Sequence, residues 1–109
     1  MFASLFSDGH GAMALTEPQK RYLRGLAHKL KPVVMLGNAG FSEGVANELD
    51  LTLEHHELIK VRVSAEDRET RDALIKEMCA TARCDLVQRI GHIAVVYRAA
   101  KKPSIRLPK

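Results

Sequence analysis

The spacing of apolar residues changes from one segment of the chain to the next, and the changes mark the elements. From residue 17 to 31, Tyr22, Leu23, Leu26, Ala27 and Leu30 recur at helical spacing, while Lys20, Arg21, Arg24, His28, Lys29 and Lys31 take the remaining positions. The pattern predicts an amphipathic helix that packs through one face and presents cations from the other. Thr16-Glu17-Pro18-Gln19 supplies a capping box at its start, with Pro18 in the first turn, where a missing N–H does no harm. Pro32 ends it by disfavouring helical geometry at Lys31. Residues 33–36 are four consecutive apolar positions between Pro32 and Gly37, too short for a helix, and read as a buried strand.

Helical spacing resumes after Ser42, an N-cap candidate, with Val45, Ala46, Leu49, Leu53 and His56 inward and Glu48, Asp50 and Glu54 outward. Residues 58–63 then alternate strictly, Ile59, Val61 and Val63 to one side and Leu58, Lys60 and Arg62 to the other, which predicts a strand with one mainly basic face. Asp67 caps a third helix whose apolar stripe is Leu74, Ile75, Met78, Cys79 and Ala82; no glycine marks its end near Arg83. Residues 85–90 and 93–98 read as strands joined by Gly91-His92 in a hairpin of the Gly-X type. The tail, with Pro103 and Pro108, reads as extended and only partly ordered, and residues 1–14 as a flexible extension. The order α-β-α-β-α-β-β predicts a single compact α/β domain with a four-stranded mixed sheet packed with helices.

One stretch stands out for chemistry. Gly37-Asn38-Ala39-Gly40 is nearly free of side chains and lies between a strand and a helix start, where Ser42 can cap and Glu43 complements the helix dipole. Backbone N–H groups in such a turn can approach an anion such as phosphate closely. The same pattern suits a plain strand-to-helix turn that needs positive φ at a glycine. It is neither a Walker A loop, which would add Lys and a hydroxyl, nor G-x-G-x-x-G.

Charge sharpens the first reading. The 109 residues carry a net charge of +4, but the excess is not spread evenly. Lys20, Arg21, Arg24, Lys29 and Lys31 face only Glu17 in the first helical segment, and Arg98, Lys101, Lys102, Arg106 and Lys109 face no acid at the other end, while the residues between are acidic in balance. Cations gathered at both ends suit a shared polyanion, although basic helices and tails are also often merely solvated. The chain is long enough for one core without staples, and its apolar runs are far too short to span a membrane. Cys79 and Cys84 match no redox or zinc spacing; on one helix they would lie roughly 7.5 Å apart along the axis, out of bridging range, as expected of reduced cytoplasmic thiols. His55 and His56 diverge by about 100° on a helix, which suits one buried and one solvated ring rather than a metal site. No cofactor, metal site or catalytic constellation is expected.

The run Leu30-Lys31-Pro32-Val33-Val34-Met35-Leu36-Gly37-Asn38-Ala39-Gly40-Phe41-Ser42-Glu43-Gly44-Val45, with residues 53–61, Glu66-Asp67-Arg68-Glu69-Thr70, Ile90-Gly91 and Val96-Tyr97-Arg98, closely resembles the YhbY family, stand-alone bacterial CRM (chloroplast RNA splicing and ribosome maturation) domains. The resemblance implies an α/β fold like the C-terminal domain of translation initiation factor three, over residues 15–98, followed by a basic tail at 99–109. It implies RNA binding through a G-x-x-G loop at Gly37, Asn38, Ala39 and Gly40, and association with large-subunit ribosomal RNA or its precursor particle. Family loops often hold Lys or Arg between the glycines; with Asn38 and Ala39 there, loop contacts to phosphate would rest on backbone N–H groups. Arg21, Arg24, His28, Lys31, Lys60 and Arg62 are the expected flanking RNA contacts, in a monomeric, cytoplasmic, non-enzymatic protein without membrane association. The alternative is a protein-interaction module that docks on a ribosomal protein through its acidic middle helices.

Overall fold

Three helices and four strands follow one another in a computed structural model that describes residues 15–37 and 41–108: α1 (Glu17–Ala27), β1 (Pro32–Leu36), α2 (Glu43–His56), β2 (Leu58–Val63), α3 (Arg68–Ala82), β3 (Asp85–Ile90) and β4 (Ile93–Tyr97). Residues 1–14, Asn38, Ala39, Gly40 and Lys109 lie outside the described residues. The starts are capped as the side chains predict. Thr16 and Gln19 close a reciprocal capping box, and the Ser42 and Asp67 side chains accept from Val45 and Thr70 N–H.

The sheet order is β1-β2-β4-β3, with β1 parallel to β2 and the other two pairs antiparallel. Alternation along β2 sorts the molecule into two layers. Ile59, Val61 and Val63 join Val34, Leu36, Ala94 and Val96 in a core closed by Leu49 and Leu53 of α2 and Ile75, Met78 and Ala82 of α3. Leu58 joins Val87, Val95 and Tyr97 on the opposite face, where Leu23 and Ala27 of α1 close a smaller core. In the hairpin, φ is +57° at Gly91 and not positive at His92, as a turn with glycine in its first central position requires.

Several expectations need correction. The segment 33–36 is not a buried strand: β1 is an edge strand, and only Val34 and Leu36 are buried while Val33 and Met35 are exposed. Its second face stays open because α1 packs over β2 and β3 instead. The apolar face of α1 is narrower than its sequence suggests. Leu23 and Ala27 are buried, whereas Tyr22, Leu26 and Leu30 are largely exposed, since a helix on a sheet touches it along one line of i, i+4 positions and no other described helix packs on this face to receive the flanks. His55 and His56 are both exposed, in an edge-to-face pair. Cys79 and Cys84 do not share a helix. Arg83 takes a left-handed conformation at the end of α3, Cys84 N–H reaches back to the Cys79 carbonyl at 3.1 Å, and the two free thiols hydrogen-bond. That bond and burial push the Cys84 thiol well up from its ordinary value.

The tail is tied down rather than loose. Glu57, buried and at φ 66°, turns its carboxylate inward and accepts from the N–H groups of Ala100, Ser104 and Ile105 and from the Ser104 hydroxyl at 2.8–2.9 Å. Ile105 and Leu107 then pack against the α1 core. Burial alone would raise the Glu57 carboxyl, but the hydrogen bonds from Ala100, Ile105 and Ser104 outweigh it and hold the group below its ordinary 4.5.

Candidate nucleic-acid interface

Strand register gathers Gly37 and the hairpin tip at one end of the sheet. Leu36 lies beside Val63, Arg62 beside both Met35 and Ile93, and Ile93 beside Ile90. Ser64 N–H donates to the Leu36 carbonyl at 2.8 Å, and Val63 N–H to that of His92 at 2.7 Å. Gly37, Ser64 and the Gly91-His92 turn therefore share this end. Gly37 is exposed, its φ is not in the left-handed region, and a Cβ added to it would meet nothing within 4 Å. Neither backbone angle nor crowding within the described residues demands glycine at this position.

On the α1 side of the sheet, the last row before this end is Met35, Arg62, Ile93 and Ile90, one residue from each strand in the order β1-β2-β4-β3. Met35 is 63% and Ile90 57% exposed, Arg62 is exposed, and Ile93 is half-buried. Lys60 stands one row back, beside Pro32 and Val95, half-buried with its stem along the sheet. Beyond the row, Arg62, Ser64, Ala65, Glu66 and His92 line a cleft of about 270 Å³. Arg71 braces the floor of this end, donating to the Ala65 and Glu66 carbonyls and lying 3.2 Å from His92 Nε2. A larger cavity of about 490 Å³ lies between α3 and β3 and includes Cys79, Cys84 and the Asp72–Arg89 pair.

The structure thus brings together Gly37, Lys60 and Arg62 among the residues expected to bind. Asn38, Ala39 and Gly40 lie outside the described residues. Lys31 precedes β1 and is exposed at its opposite end, six residues from Gly37, or roughly 20 Å along an extended chain. Arg21 is exposed and Arg24 half-buried on α1, and His28, which caps the end of that helix, is exposed. Among the described residues, the ion pairs use Arg68, Arg89 and Arg98, and none uses Arg21, Arg24, His28, Lys31, Lys60 or Arg62. Arg98, counted with the basic tail by sequence, is withdrawn from solvent. It bonds Asp50 Oδ1 at 2.7 Å and the Ala82 and Asp50 carbonyls, with Glu54 at 3.7 Å. Sequence reasoning missed Met35 and Ile90. The signal was there: a strand that starts on proline suits a sheet edge, and the basic face of β2 had to share its exposure with the neighbouring strand.

The CRS1 / YhbY (CRM) domain model matches residues 15–98. The chain belongs to this family. As a CRM domain it is 48% identical over 95 residues to an RNA-binding protein of Haemophilus influenzae, covering 87% of this chain and 96% of the relative. It is 47% identical over 95 residues to a Pseudomonas aeruginosa protein named "Probable RNA-binding protein", covering 87% and 91%. The solution structure of a hypothetical protein from Staphylococcus aureus superposes with a TM-score of 0.76 at 41% identity, covering 87% of this chain and all of that one. That CRM fold has the helix and strand order described above.

Proposed function

We propose that this CRM domain binds RNA through the Gly37–Gly40 loop and the cations that flank it, Lys60 and Arg62 first and Lys31, Arg21, Arg24 and His28 beyond them. The observation that carries this reading is an uncovered sheet face whose cations pair with no acid among the described residues and which ends at a glycine the described backbone does not require. A bare Gly37 leaves room for phosphate oxygens to reach backbone N–H groups. The names of the relatives support RNA as the ligand. The resemblance to the YhbY family extends the reading to large-subunit ribosomal RNA or its precursor particle, with the protein a cytoplasmic, monomeric assembly factor and not an enzyme. No described helix is long and apolar enough to cross a membrane. Docking on a ribosomal protein through acidic helices has less support, because Asp50, Glu54 and Asp72 are drawn into pairs with Arg98 and Arg89.

A titration of RNA affinity against salt tests the proposal. About three to five phosphate contacts give a slope of log K against log salt of roughly −2 to −4 for single strands, and a slope near zero would sink it. In the same assay Gly37→Asp is expected to lose about tenfold or more while Gly37→Ala stays within about twofold, both with the wild-type Tm, because the added atoms enter open space.

A further inference from the structure

We propose that the row Met35, Arg62, Ile93 and Ile90 seats unpaired bases, so that this domain selects single-stranded over duplex RNA. The proposal rests on the RNA-binding reading above and adds the form of RNA that is bound.

The row belongs to the part of the sheet over which no described helix packs. Two of its four residues are large apolar side chains more than half exposed, and the third, Ile93, lies between Ile90 and Arg62. Three inter-strand steps of roughly 4.8 Å make it about 14 Å long, enough for a short run of bases. Charge decides among occupants. The exposed surface around the row carries Arg62 within it and Lys60 one row back, among Val33, Met35, Ile93, Ile90 and Gln88, while Glu66 lines the cleft beyond the row with Arg62. A polyanion with apolar faces fits this surface, whereas an apolar protein segment would strand Lys60 and Arg62 without acids.

The apolar members then distinguish the forms of RNA. A duplex hides its base faces and offers only sugars, phosphates and groove edges, so Met35 and Ile90 would gain nothing from it. An unpaired strand can lay bases against Met35, Ile93 and Ile90, place one on the guanidinium plane of Arg62, and leave its phosphates to Lys60 and to the loop at Gly37. Gly37 and the apolar row share one end of the sheet, which lets the phosphate and the base of one nucleotide be met in one place.

The test compares an unstructured oligouridine with the same strand paired to oligoadenosine, by fluorescence anisotropy at one salt concentration. The full chain is expected to bind the single strand at least about tenfold more tightly. Met35→Ser with Ile90→Ser should lose about tenfold on the single strand and under about twofold on the duplex, since apolar contact and not charge is removed. Arg62→Lys keeps the charge and removes the planar group, and should lose several-fold on the single strand alone. This second variant keeps the test decisive even if the double serine variant does not fold. Equal affinity for the two forms, or single-strand binding that none of these changes weakens, overturns the proposal and leaves RNA binding standing; the latter would assign the row to a protein. Failure to bind either RNA overturns the RNA reading itself.

Discussion

The α1-side face of the sheet has two ends built by the same alternation, one from β2, β4 and β3 and the other from all four strands, and they differ in what covers them. At one end Leu58, Tyr97, Val95 and Val87 are sealed by Leu23 and Ala27 and by the returning tail. At the other, Met35, Arg62, Ile93 and Ile90 have no described helix over them. Strand sequence alone does not separate the two ends, since both carry large apolar groups. What separates them is the reach of α1, an 11-residue helix, and the two cations, Lys60 and Arg62, that follow Leu58 on this face of β2. One end secures the fold, and the other is free to meet a ligand.

The sharpest way to break this contrast is to exchange the effects of substitutions at the two ends. Leu23→Ala, at the sealed end, is expected to cost about 2–5 kcal/mol of stability while the molecules that remain folded keep their RNA affinity. Lys60→Glu with Arg62→Glu, toward the open end, should lose about a hundredfold in RNA affinity with little change in Tm. Chemical denaturation and anisotropy on both variants check this. If the lysine and arginine changes unfold the chain, or the leucine change weakens binding by the folded fraction, the division of labour is wrong.

A smaller effect is expected where the tail closes the sealed end. Glu57→Gln should cost about 1–3 kcal/mol, because a neutral amide accepts the four hydrogen bonds less strongly than the carboxylate and brings donors of its own. The folded Glu57 lies below its ordinary 4.5, so its increment of stability is fully present above that value and is lost as pH falls through the folded one. The gap in Tm between wild type and variant should thus be constant near neutral pH and narrow in acid. A gap that widens in acid would refute the account.

The smallest effect concerns the cations of α1, which belong to the sealed end and stand farther from Gly37. Arg21→Glu with Arg24→Glu is expected to weaken RNA binding about fivefold more than Arg68→Glu with Lys76→Glu, which changes net charge equally on a helix of mixed sign. Arg71 is unsuitable as the control because it braces residues 65 and 66. Equal losses from the two pairs, measured by anisotropy, would remove α1 from the binding surface.

Much of the fold was legible because local signals agreed. The caps at Thr16, Ser42 and Asp67, the alternation along β2 and the Gly91 turn each act within a few residues and survive tertiary packing unchanged. The errors fell where burial depends on a distant partner. Nothing local to Val33 and Met35 says that α1 stops short of them, and nothing local to Leu26 says that no other described helix lies beside it. The candidate site divides the same way. Gly37, Lys60 and Arg62 were visible as residue types in a pattern, whereas Met35 and Ile90 become candidates only once strand order puts them in one row with Arg62. Glu57 was hidden for the same reason, since its partners lie more than forty residues away.

The Glu57 clasp also bears on where this domain can be divided. The family match ends at residue 98, yet the donors that satisfy Glu57 come from Ala100, Ser104 and Ile105, and Ile105 and Leu107 complete the smaller core. Cutting at the edge of shared ancestry would remove all four of these hydrogen bonds and the apolar cover that Ile105 and Leu107 give, on a backbone already held at positive φ. The outline that evolution keeps recognisable is therefore shorter than the piece that physics requires to stand alone, and an excised version or a fusion joint is better placed after Leu107 than after Arg98.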